Sequence, residues 1–136
     1  IYNKMSVNRD IQLGLCCLNI TLRNENPSIY MSRSMIMRTI KKEDGMDKLK
    51  SKILKNCNDF IKMIEWNEQN GIKVFRISSN LFPHKANPNI DDYSLEFAKP
   101  LLKKAGTLAK LYNQRITMHP GQYNVVGTPN KSSFDK

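Results

Sequence analysis

The chain has 136 residues, enough for one compact domain with a moderate core. Its 22 Lys and Arg stand against 12 Asp and Glu, a net charge of +10 that points to a polyanionic partner, nucleic acid or an acidic membrane surface. No apolar run approaches ~20 residues and no signal peptide is visible, so the sequence offers no membrane-spanning helix.

Residues 1–10 are mixed and polar and read as a loose lead-in. Gln12–Leu18 is a short apolar run that suits a strand covered on both faces, and it ends in the amide of Asn19. Residues 23–43 form a long polar connection carrying Arg23, Arg33, Arg38, Lys41 and Lys42. From Asp44 to Asn70, apolar residues at Met46, Leu49, Ile53, Cys57, Phe60, Ile61 and Ile64 repeat every three or four positions. That spacing predicts an amphipathic helix stopped by Asn70-Gly71, with Met63 and Trp66 at its edge.

Lys73–Ser78 is β-branched and aromatic and predicts a second strand, followed by Ser79 through His84. Asp91 or Asp92 can cap the next helix, whose inner face carries Leu95, Ala98, Leu102, Ala105, Leu108 or Ala109, and Tyr112. Pro100 either kinks that helix or starts its longer half. Residues 115–119 predict a third strand. Pro120-Gly121 then stops it, and the exposed turn presents Gln122 and Tyr123. A histidine at a strand's carboxyl end, here His119, stands where α/β sheets place chemistry.

The order strand, helix, strand, helix, strand predicts an α/β fold with parallel strands joined by helical crossovers. An eight-fold barrel needs ~250 residues, so residues 1–136 are expected to be one domain holding about three of eight units. With Ile1 rather than methionine at its start, the chain is expected to be a fragment of a longer protein. Cys16, Cys17 and Cys57 form no CxxC pair and read as buried, reduced residues of an intracellular protein. The lysines are spread along helical faces, and charge alone does not locate a binding surface.

Four segments carry a resemblance. They are Leu13-Gly14-Leu15-Cys16-Cys17-Leu18-Asn19, Trp66-Asn67 with Asn70-Gly71-Ile72, Phe75 through Pro83, and His119-Pro120-Gly121-Gln122-Tyr123. In order and spacing they resemble the ultraviolet damage endonucleases, over residues 12 to about 128. The resemblance implies the first three units of a TIM (β/α)8 barrel with a metal cluster at its carboxyl mouth. It also implies incision of damaged double-stranded DNA directly 5′ to pyrimidine dimers and other lesions, by an intracellular, DNA-associated enzyme that is monomeric at full length.

By that likeness His119 is a metal ligand, Gln122 and Tyr123 are the probing pair wedged into the duplex, and Asn19 lines the lesion pocket. The metal is expected to be Mn²⁺, with Zn²⁺ or Mg²⁺ as alternatives; neutral imidazole suits the first two. Two positions depart from the family pattern. His84 directly follows Phe82-Pro83, while Asn87 stands nearer to where a second histidine ligand is expected; His84 is the candidate second ligand. Leu15 stands where the family often has tyrosine.

Two other classes stay open at this point. One is a metal-dependent sugar isomerase or epimerase, or an endonuclease IV-like enzyme, of the same barrel type. The other is a DNA-binding module without catalysis, which suits a basic chain with two histidines and no acid at a strand's carboxyl end. A full cluster of metal ligands is not expected from these residues alone.

Overall fold

The computed structural model describes residues 12–85, 87–90, 92–120 and 129. Gly14–Cys16 (β1), Val74–Ile77 (β2) and Arg115–Met118 (β3) form one parallel sheet in the order β1-β2-β3. Gly14 faces Val74 and Cys16 faces Arg76, while Val74 faces Arg115 and Ile77 faces Met118. β1 is shorter than the apolar run Gln12–Leu18 suggests. Cys17 takes a positive φ of 59°, which turns the chain out of the ladder. Gly14 and Cys16 are exposed on one face, so the expectation of cover on both faces fails for β1 among the described residues.

The 23–43 connection is less loose than its polarity suggests. It is entered from a four-residue helix, Ile20–Arg23 (α1), and includes Met37–Ile40 (α2). Met31 and Ile40 are buried in the same core as the long helix, Gly45–Gln69 (α3). Gly45 is required where α2 meets α3, because a Cβ there would run into the carbonyl oxygens of Thr39 and Ile40.

α3 forms where its apolar period predicts, burying Leu49, Ile53, Cys57, Phe60, Ile61 and Ile64. It stops at Asn70, whose N–H and side-chain amide both donate to the Trp66 carbonyl, and at Gly71 with a φ of +69°. Met63 is fully buried rather than at the helix edge, since a second helix, which follows β2, packs along α3 and broadens the covered stripe. Phe75 of β2 is fully buried, its ring 5.8 Å from that of Phe60. Burying such a ring is worth about 1.5–3 kcal/mol.

Lys99–Leu111 (α4) is preceded by a 3-10 turn, Glu96–Ala98, and Pro100 sits in its first turn, starting the helix as the second alternative held. Asp92 does not cap it; its carboxylate goes to Lys85 instead, and Asp91 lies outside the described residues. Ala105 and Ala109 are buried toward α3, whereas Leu102 and Leu108 are only partly covered. Gln114 locks this layer to α3 by donating from Nε2 to the Ile64 carbonyl at 2.8 Å. Cys57 is buried as expected, but Cys16 is exposed and Cys17 half-buried, because the turn at Cys17 leaves both beyond the helix layer.

Candidate functional site

Parallel pairing sends all three strands toward one edge, so Cys17–Asn19, Ser78–His84 and His119-Pro120 gather at the carboxyl ends. His119 continues the sheet by one step, its N–H donating to the Ile77 carbonyl at 2.9 Å. Its imidazole is exposed, and Nδ1 lies 2.8 Å from the Pro120 carbonyl. A carbonyl only accepts, so Nδ1 carries the proton and Nε2 keeps a free lone pair. Metal-ligating histidines are commonly oriented in this way.

His84 is placed differently. Its backbone φ is 63°, its Nε2 donates to the Met35 carbonyl at 2.7 Å, and its Nδ1 accepts from the Asn87 amide at 3.3 Å. Both ring nitrogens are engaged, and the ring ties the loop after β2 to the 23–43 connection. For His84 to ligate a metal, the Met35 contact would have to break. Asn87 is itself buried, with Oδ1 accepting from the Asn89 N–H at 3.0 Å.

Asn19 is 3% exposed. Its Oδ1 caps α1 by accepting from the Leu22 N–H at 3.0 Å, while its Nδ2 is buried with no hydrogen-bond partner among the described residues. A buried donor without a partner is costly, and here it stands two residues beyond the turn that ends β1. Gln122 and Tyr123 lie outside the described residues.

Among the described residues, no three His, Cys, Asp or Glu side chains come together to hold a metal ion. The chemistry of His119 fits one ligand position, and among the described residues no cluster of ligands completes it. Among the described residues, too, no helix is long and apolar enough to cross a membrane.

Arg76 was not singled out from the sequence. In β2 the burial alternates, with Phe75 and Ile77 under the helices and Arg76 exposed on the opposite face. It sits in register with Cys16 and Thr117, a cation on the face of the sheet opposite the helices. The two-residue period of the strand was the signal that places it there. Close by, burial and then the neighbouring Cys16 thiol push the Cys17 thiol up, with Arg76 opposing them.

The profile of the family described as UV-endonuclease UvdE matches residues 11–136. A protein of Acanthamoeba polyphaga mimivirus is 46% identical over 123 residues, which cover 89% of this chain and 36% of that protein. The UV-damage endonuclease of Schizosaccharomyces pombe is 40% identical over 124 residues, 91% of this chain and 20% of its own. Among solved structures, the crystal structure of SacUVDE superposes with a TM-score of 0.73 at 25% identity, covering 92% of this chain and 40% of that one. The chain therefore spans about a third or less of the length of these two relatives.

Proposed function

The chain belongs to the UV-endonuclease UvdE family, and from that premise we propose that the whole protein is a metal-dependent DNA repair endonuclease. Its substrate on this reading is damaged double-stranded DNA, nicked on the 5′ side of ultraviolet photoproducts and other lesions. The three parallel strands and the helices that join them match the amino-terminal portion of a TIM barrel, the fold shared with SacUVDE. Family membership favours this reading over a sugar isomerase and over a binding module without catalysis.

The observation that carries the reading is the imidazole of His119, fixed at the end of β3 with its proton on Nδ1 and its Nε2 lone pair free. We assign His119 as one ligand of a divalent ion, Mn²⁺ first and Zn²⁺ or Mg²⁺ as alternatives. When bound, such an ion supplies Lewis acidity at the phosphodiester. The chain's own residues orient the substrate. Asn19, with an unpartnered Nδ2, offers a donor to the lesion pocket if the α1 cap opens toward it. Arg76, on the face opposite the helices and so inside the barrel wall on this reading, offers positive charge near the carboxyl mouth. Gln122 and Tyr123 are assigned as the pair that fills the gap left by displaced bases. The enzyme works on this proposal as a monomer, on DNA inside the cell.

The test is incision of a duplex carrying one cyclobutane pyrimidine dimer by the whole protein and its His119→Ala variant, with lesion binding measured in parallel. The expected result is loss of incision with binding retained. Full incision by the variant overturns the assignment of His119, and absence of any incision by the wild-type protein across all three metals overturns the function.

A further inference from the structure

α3 is far longer than the sheet it covers. Its 25 residues make ~37 Å of helix, whereas the four residues of β2 span roughly 13 Å. The level at which the helix crosses the strand ends is marked by Asn56. Its Nδ2 lies 3.1 Å from the Asn80 carbonyl and 3.4 Å from that of Leu81, in the turn just after β2. Residues Gly45–Lys55, ~16 Å of helix, therefore extend as a wall past the turn that follows β2.

That wall is basic. Lys48, Lys50, Lys52 and Lys55 stand in it with Asp47 as the one acid, while the second half carries Asp59, Glu65 and Glu68 against Lys62. The helix dipole favours the reverse arrangement, acids first and cations last. Helix stability does not explain this order.

Lys48, Lys52 and Lys55 fall on one face at spacings of four and three, and with Ser34, Thr39 and Ser51 they line a groove of about 480 Å³ between α3 and the 23–43 connection. The three lysines span ~10 Å along the helix, and a DNA strand presents a phosphate every ~3.4 Å along its axis. Hydroxyls beside ammonium groups are the usual company of a phosphate oxygen. Lys48 has an exposed pair with Asp44, both side chains more than half exposed, and such a pair yields readily to a stronger anion.

We propose that this groove is a docking site for the sugar–phosphate backbone of duplex DNA flanking the lesion, held by Lys48, Lys52 and Lys55. The proposal rests on the repair reading above and adds to it a surface outside the strand-end site. The groove binds without regard to sequence or damage; it extends the footprint and fixes the approach of the duplex.

The experiment compares the whole wild-type protein with Lys48→Gln, Lys52→Gln and Lys55→Gln combined. A control of equal charge combines Lys62→Gln, Lys110→Gln and Arg115→Gln, which lie on the second half of α3, at the end of α4 and at the start of β3. Affinity for a dimer-bearing duplex and its undamaged twin is measured across a salt series. The slope of log K against log salt should become shallower by about 2–3 in the groove variant, since each lost phosphate contact removes ~0.9. Affinity should fall by the same factor for both duplexes, and the control should keep the wild-type slope. An unchanged slope, or an equal loss in the control, overturns the groove and hands this face to an acidic protein segment or to solvent. Wild-type protein without lesion preference, yet with a slope carried by the three lysines, sinks the repair reading and leaves the groove standing.

Discussion

Asn56 pairs with the backbone of Arg33 as a neighbouring strand would. Its Oδ1 accepts from the Arg33 N–H at 3.0 Å and its Nδ2 donates to the Arg33 carbonyl at 3.0 Å. The same amide reaches the carbonyls of Asn80 and Leu81, so one fully buried side chain on α3 holds two separate loops. Asn56→Ala leaves these groups without partners and should cost about 2–4 kcal/mol, read as a shift of the denaturation midpoint. Asn56→Asp should cost more, because it sets a carboxylate against three carbonyl oxygens. Wild-type stability in both variants would mean that the loops hold themselves.

Asp59 anchors the same connection by charge. Its Oδ2 lies 2.7 Å from the Arg33 guanidinium and accepts from the Tyr30 N–H at 3.2 Å, while the guanidinium lies 4.0 Å over the Tyr30 ring. Removing one partner of a mostly buried pair leaves the other charge uncompensated, so Asp59→Ala should destabilise by about 3 kcal/mol. Asp59→Asn keeps an acceptor for Tyr30 and should cost less. A double-mutant cycle with Arg33→Met should show coupling well above the surface-pair range of about 0–1 kcal/mol.

Cys57 gives the fold an alkaline limit. Burial pushes its thiol from the ordinary 9.0 up to about 11. Below 9.0 both folded and unfolded states hold the proton and the contribution to stability is complete. Between those two values the unfolded chain loses its proton first, so stability should decline as pH rises, and the contribution is gone above the folded value. Burial, and then Asp92, also push the Tyr93 hydroxyl up, in the same direction. Urea melts of wild type, Cys57→Ala and Tyr93→Phe from pH 8 to 11 should apportion the decline. At pH 8 an alkylating reagent should label exposed Cys16 and spare Cys57.

Gln122→Ala with Tyr123→Ala should separate recognition from chemistry. Stacking on an aromatic ring is worth ~1–3 kcal/mol per base, so lesion affinity should drop by up to about a hundredfold while affinity for undamaged duplex changes little. Equal loss of thermal stability with and without DNA, at an unchanged ratio of damaged to undamaged affinity, would make Tyr123 a packing residue of its own turn.

Apolar period marks α3 and α4, since residues at 49, 53, 57, 60 and 64 admit one helical face, while a short apolar run and the β-branched, aromatic Lys73–Ser78 mark β1 and β2. The ends were harder to read. β1 stops at Cys16 because Cys17 turns to positive φ, and no residue type at 17 announces such a turn. His84 was read as a candidate ligand from its place after Phe82-Pro83. Its actual partners, Met35 and Asn87, depend on how the 23–43 connection folds back, a long-range contact without a local signature. Likewise Arg33 reads as a loop cation in the chain and becomes the partner of Asp59 in space. The basic half of α3 is legible in the sequence, as four lysines against one acid where the helix dipole favours acids.

The sheet order β1-β2-β3 repeats the order of synthesis. Fifty-seven residues separate β1 from β2 and thirty-seven separate β2 from β3, and a ribosome adding about 5–20 residues per second delivers each new unit over about 2–11 s. Helices and loop closures form within microseconds, so β2 and then β3 emerge to find the preceding strand already laid down. Among the described strands, each pairing joins a strand to the one made just before it. In this part of the barrel wall, neighbours in the sheet are also neighbours in the order of synthesis.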